Sequence, residues 1–199
     1  MSSADLETRT RILEATRRLM EERRGGGVRM RDIAEAAGIS RQAVYDHFGS
    51  RAKLLVATTH YVDEIRGLEE RRRRFRAATS GLEHLQAYVE FWGTYIPEVY
   101  GMAKALLAIR ETDKAAATAW DERMMAVRES CRHTLEALHR DGMLAPEWSR
   151  VEAVDLMWTM LSIRNWEQLT IECGWTISQY VDRMQKLLRR TLVRGAEGT

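Results

Sequence analysis

VRMRDIAEAAGISRQAVYDHFGSRAKLL, residues 28–55, is the stretch that decides the fold of this chain. It spells a short helix, a tight turn, a second short helix and the opening of a longer one. Ile33, Ala34 and Ala37 give the first helix an apolar edge, with small side chains where a neighbour must come close. Gly38 follows as a helix stop, able to take φ > 0 without steric penalty. Ile39 anchors the turn, and Ser40 is a good N-cap for the next helix. Val44 and Phe48, four residues apart, face a core. The other faces carry Arg41, Gln42, Ala43, Tyr45 and His47, chemistry suited to base edges and phosphates. Two helices set at a sharp angle by a short Gly-containing turn form the helix-turn-helix pattern, whose second helix enters the major groove of DNA.

Around this unit, 199 residues leave room for a second core or for one large domain. A hydrophobic content of 45% excludes a disordered chain, and two prolines exclude a Pro-rich linker protein. Long segments of Ala, Leu, Glu and Arg, with few β-branched alternations, predict an all-α protein. No uninterrupted apolar run of about 18 residues occurs, so no transmembrane helix and no membrane partner is expected. The N-terminus, MSSADLETRTR, is charged where a secretory signal is apolar, which predicts a cytoplasmic location. The formal net charge of +2 divides unevenly: residues 1–56 hold 11 Lys/Arg against 8 Asp/Glu, and residues 57–199 hold 20 against 21. The positive excess lies with the helix-turn-helix, as attraction to phosphate requires. Cys131 and Cys173 have no CxxC partner and are expected to be idle or buried thiols rather than disulfide or metal ligands.

The first helix is expected over about 5–23, with Ile12, Ala15 (or Thr16) and Leu19 inward and Gly25-Gly26-Gly27 ending it. The helix-turn-helix occupies 29–48. Gly49-Ser50 then turns the chain into a helix extended to about residue 76, near 40 Å long at ~1.5 Å per residue. Later helices are expected at 82–95, 98–109, 113–141, 149–173 and 176–193. Pro97, Asp141-Gly142 with Pro146, and Gly174 are the separators, and Ser149 caps the helix that follows Pro146. All six tryptophans (92, 120, 148, 158, 166 and 175) lie beyond residue 80.

The blocks TRTRILEAT, RDIAEAAGIS and RQAVYDHFGSR, followed by Leu54-Leu55, closely resemble the head of the tetracycline-repressor (TetR) family of bacterial transcription regulators. The closing segment from LSIRNWEQL to MQKLLRRTL is similar to the last two helices of many members. The resemblance implies a three-helix DNA-binding head over 6–66. It implies an all-α body over 67–199 that binds a small molecule and dimerises. Two positions depart from the family pattern. Val28-Arg29-Met30 stands where a capping Thr is common, and Arg51 replaces a Lys, which keeps the charge and permits a bidentate phosphate contact.

Arg41, Gln42 and Ala43 open the recognition helix, where base contacts are made: Arg pairs with guanine, Gln with adenine, and Ala touches the thymine methyl. Contact to phosphate or solvent alone is the alternative for each. Tyr45 and His47 match family positions that donate to phosphate, with a plain surface role as the alternative for His47. Arg29, Arg31, Ser40, Arg51 and Lys53 complete the candidate DNA contacts, although Arg31 is also placed to pair with Glu35. The run Arg71–Arg74 with Arg76 is either an anion patch or, as the better reading, a solvated helix end.

Phe91, Trp92, Tyr95, Tyr100, Met102, Trp120, Met124 and Met125 suit a pliable apolar cavity for an effector, or ordinary core. Arg110, Arg128 and Arg164 are candidates for an anionic ligand or for interhelix ion pairs. Val154, Met157, Trp158 and Leu161 form one apolar stripe. Ile177, Tyr180, Val181, Met184, Leu187 and Leu188 form another, and two such helices from each of two chains would close a four-helix bundle, with packing inside one chain as the alternative. The expected partners are therefore operator DNA, a small-molecule effector and a second copy, with no cofactor and no metal. A homodimeric repressor released by its effector is the leading expectation. An activator or a ligand-independent regulator of the same fold is the alternative. An enzyme fares poorly, because the sequence holds no HExxH, DDxxD, GxGxxG or P-loop, and Glu83-His84 lacks a third orienting partner.

Overall fold

The computed structural model describes residues 3–24 and 26–195, and of Arg74 the backbone alone. Gly25, one of the three glycines expected to end the first helix, lies outside the described residues. The described residues form ten α-helices and one π-helical turn, with no strand beyond an isolated antiparallel bridge between Leu144 and Val193. No described helix is long and apolar enough to cross a membrane. The helices are α1 (Ser3–Glu22), α2 (Met30–Ala37), α3 (Arg41–Phe48), α4 (Arg51–Ile65) and α5 (Leu68–Arg76). They continue with α6 (Gly81–Ile109), α7 (Lys114–Arg140), α8 (Arg150–Met160), α9 (Ile163–Glu167) and α10 (Ile177–Leu192).

Three boundaries differ from expectation, each for a local reason. The single long helix expected from Ser50 to about residue 76 is two, α4 and α5, because Gly67 sits at φ +67° and breaks the ladder. Pro97, expected as a separator, lies inside α6. Leu85, Val89, Trp92 and Ile96 before it and Met102 and Leu106 after it are buried. That burial outweighs the ~3 kcal/mol that an interior proline costs a helix. The helix expected over 149–173 stops at Met160 and restarts at Ile163, where the Ser162 hydroxyl accepts from the Asn165 amide. It then widens into a π-helical turn over Gln168–Glu172.

The chain forms two compact units: residues 1–66 with 99–124, and residues 67–98 with 125–199. The first unit holds α1 to α4 and the α6–α7 corner. Its core is built from Ile12, Leu19 and Met20 of α1, Ile33 and Ala37 of α2, Val44 and Phe48 of α3, and Leu54 and Leu55 of α4. Arg123 and the nearly buried Asp63 pair at 2.6 Å, tying α7 to α4.

In the second unit, Gly81 permits α6 to start hard against α7. A Cβ there would lie 2.5 Å from the Leu138 amide nitrogen. Phe75, Tyr88, Phe91 and Tyr95 form an aromatic cluster, with Phe91 stacked on Tyr95 at 5.6 Å. Cys131 is buried beside the Tyr88 hydroxyl at 4.0 Å, and burial pushes its thiol up to about 12. Cys173 is exposed, and both cysteines are free. In the arginine run, Arg72 and Arg76 pair with Glu69, Arg73 with Glu70, and Arg71 with Glu98, a set of paired cations on an exposed helix.

Candidate nucleic-acid interface

Local chemistry fixes each turn of the helix-turn-helix. Arg29 sits at the N-cap of α2 in extended conformation and has no hydroxyl to offer. The Asp32 carboxylate instead accepts from the Arg29 amide at 2.9 Å, and that bond holds the Asp32 carboxyl below its usual range. Gly38 ends α2 at φ +66°, in the left-handed region. Ser40 then caps α3, its hydroxyl accepting from the Ala43 amide at 3.1 Å. Gly49 closes α3 at φ +72°, and Ser50 caps α4 by accepting from the Lys53 amide. Two eight-residue helices are thereby held at fixed starts and stops, with Ile33, Ala37, Val44 and Phe48 buried beneath them.

What remains on the outside of α3 is polar. Arg41 and Gln42 are exposed, and Ala43, Tyr45 and His47 are half-buried. Gln42 donates to Asp46 at 2.9 Å, one turn on. The Arg41 guanidinium lies over the Tyr45 ring, 5.5 Å from its centroid, so the cation and the phenol share one surface. His47 faces Asp5 of α1 at 3.3 Å, and its carbonyl accepts from Arg9, whose guanidinium also covers Phe48 at 4.4 Å. Sequence reasoning missed this bracing of α3 by Asp5 and Arg9, because nothing in the spacing says that α1 reaches the end of α3.

Arg29, Arg31, Arg41 and Arg51 converge on one open cleft of about 690 Å³. The α6–α7 corner supplies its other wall through Ile109, Thr112, Asp113 and Lys114. Arg51 is the most constrained of the four. Its Nη2 donates to the Val28 carbonyl at 3.0 Å and lies 2.9 Å from the Asp113 carboxylate, while Nη1 is buried without a partner. Lys53 is exposed and lies apart from this cleft, in a smaller one with Arg9 and His60. Asp113 and Lys114 are additions that sequence spacing did not flag. Asp113 was legible as a helix start, but its approach to a residue 62 positions earlier was not.

The expected effector residues are divided between the units. Trp92, Tyr95 and Arg128 fall in the second, and Tyr100, Met102, Trp120 and Met124 in the first. Trp92 is buried and donates from Nε1 to the Leu161 carbonyl at 2.6 Å. Tyr95 lies beneath Arg71, Lys104 lies over Tyr100, and Arg110 lies over Trp120. Arg128 pairs with Asp155, an ion pair between α7 and α8. Of the expected dimer residues, Val154, Met157, Leu161, Tyr180, Met184 and Leu188 are buried within the chain itself. Trp158 is half-buried and Leu187 is 41% exposed, as is, more fully, Val151 at 66%. Among the described residues no cluster of three or more His, Cys, Asp or Glu is placed to hold a metal ion.

Comparison with known proteins falls on the same stretch. Residues 12–58 match the family described as bacterial regulatory proteins, tetR family. The HTH-type transcriptional regulatory protein RaaS of Mycobacterium tuberculosis is 48% identical over 66 residues, covering 32% of this chain and 30% of that protein. The chain thus matches under a third of that relative's length. Likeness of fold extends further. NalD of Pseudomonas aeruginosa, the secondary repressor of the MexAB-OprM multidrug efflux pump, superposes with a TM-score of 0.71 at 18% identity, covering 98% of this chain and 100% of that one. A Saccharomonospora viridis chain solved in complex with choline gives 0.72 at 16% identity, covering 94% and 98%.

Proposed function

We propose that this protein is a DNA-binding transcriptional regulator acting as a homodimeric repressor, a reading supported by the match of residues 12–58 to the tetR family of bacterial regulatory proteins and by a fold like that of NalD. The observation that carries the reading is the outward face of α3: Arg41, Gln42 and Tyr45 presented together on a helix whose ends are capped and whose underside is buried. Gln42 is suited to adenine and Arg41 to guanine, while Tyr45, His47, Arg29 and Arg31 are suited to the flanking phosphates.

One eight-residue recognition helix offers few base contacts, so a two-fold partner reading an inverted half-site supplies the rest of the specificity. Val151 of α8 and Leu187 of α10 are exposed apolar side chains available to such a partner, with Trp158 half-buried on α8. The buried stripe beneath them holds the two helices in place. A small molecule bound in the helical body acts as the effector, a reading supported by the choline bound to a chain of this fold. A coupling of about 1–3 kcal/mol between the two sites changes DNA affinity roughly 5- to 150-fold.

The test is fluorescence anisotropy with duplexes tiled across the region upstream of the protein's own gene, against scrambled competitor at moderate salt. At least one tile should compete more than tenfold better than scramble. Equal competition by every tile would remove the regulator reading.

A further inference from the structure

The cleft that gathers Arg29, Arg31, Arg41, Arg51 and Lys114 contains a single carboxylate, Asp113. Its two oxygens do different work. Oδ1 accepts from the Ala115 and Ala116 amides at 2.9 and 3.3 Å and so caps the start of α7. Oδ2 lies 2.9 Å from Nη2 of Arg51. Because the cap occupies one oxygen, Asp113 grips the guanidinium through the other alone, and Nη1 of Arg51 is left buried with no acceptor. Arginine binds oxyanions best as a two-pronged fork, and a buried donor without an acceptor carries a penalty. Asp113 is therefore an incomplete partner in a pocket of cations, and a phosphate, with two free oxygens, is the better one.

We propose that Asp113 occupies the place of a DNA phosphate at Arg51 in the free protein, and that duplex binding displaces it. Asp113 is then an intramolecular competitor. It lowers affinity for every duplex by the same factor and leaves sequence preference untouched, because phosphate carries no base identity. It also extends the DNA-responsive surface from the helix-turn-helix to the α6–α7 corner. The inference rests on the DNA-binding reading above.

Asp113→Asn separates the two jobs, since Asn keeps the capping oxygen and loses the charge. Its affinity for the best upstream tile and for scrambled duplex should rise equally, by about two- to fivefold, the range of a partly exposed ion pair. Its salt dependence should stay close to that of the wild type, because Arg51 meets phosphate in both complexes and only the competition in the free protein is removed. Asp113→Ser, which also keeps a capping oxygen, should show the same gain. In an Arg51→Gln background Asp113→Asn should change nothing, because the competition needs the guanidinium. Circular dichroism melting of each variant reports whether the α7 cap survives.

Wild-type binding with no gain in Asp113→Asn overturns the proposal and leaves the regulator reading standing. A gain of equal size in the Arg51→Gln background also overturns it, since Asp113 would then act only as a nearby negative charge. Failure of the wild-type protein to bind any duplex overturns both.

Discussion

Gln42 and Tyr45 lie on the same short helix but in different company, and the difference sets what each substitution should do. Gln42 is exposed and held by Asp46, so its amide is oriented before DNA arrives. Gln42→Ala should relax preference at one base pair by about 1–3 kcal/mol and leave the others unchanged. Binding to a panel of single-base operator variants reads this directly, and an equal loss on operator and random DNA would contradict it. Tyr45 is half-buried under Arg41, and on the proposed reading its hydroxyl donates to phosphate. Tyr45→Phe keeps the ring beneath the cation and removes only the donor, so it should weaken all duplexes alike by roughly 1–2 kcal/mol. A change in base preference would show that the phenol reads sequence instead.

The breaks between helices depend on single residues. Gly67 separates α4 from α5 at φ +67°, with nothing near the position a Cβ would take, so Gly67→Ala should cost about 1–2 kcal/mol through backbone strain alone. Ser162→Ala removes the hydroxyl that starts α9 and should cost about 1 kcal/mol. Urea unfolding followed by circular dichroism checks both. A neutral Gly67→Ala would mean that the left-handed glycine does not hold the break. These two positions also mark the limit of what the sequence makes legible. The head is local: each cap, glycine and apolar pair of residues 28–55 lies within a few positions of what it acts on, and spacing alone exposes it. The Ser149 cap of α8 is legible for the same reason. A lone Gly67 between Arg66 and Leu68 looks like an ordinary helix position, and Ser162 is hidden between Leu161 and Ile163. Pro97 was a true local signal that tertiary burial overrode. Asp113 beside Arg51, and Arg9 over Phe48, depend on which helices meet, a fact carried by packing and not by any short pattern.

Over the whole molecule, stability should fall on mild acidification for a specific reason. His84 is half-buried against Phe75 and Thr134, and burial first, then the charges of His133 and Arg140, lowers its pKa from the ordinary 6.5. The unfolded chain then takes up a proton that the folded chain resists. The stability held by the neutral ring is complete above pH 6.5 and is lost as pH falls below it. Carboxylates held low, such as Glu14 beside Arg17, act in a separate window below their ordinary 4.5. Urea unfolding at pH 7.5 and 5.5 should therefore show a smaller acid loss for His84→Gln than for wild type, and parallel losses would contradict the assignment. The central claim is that the capped α3 of two copies reads duplex sequence. Selection of bound duplexes from a random pool tests it most directly. The prediction is an enriched motif of two inverted half-sites centred about one helical turn apart, roughly 10–10.5 base pairs or a multiple of it. A pool that stays random after repeated rounds, while the protein remains folded, would contradict it.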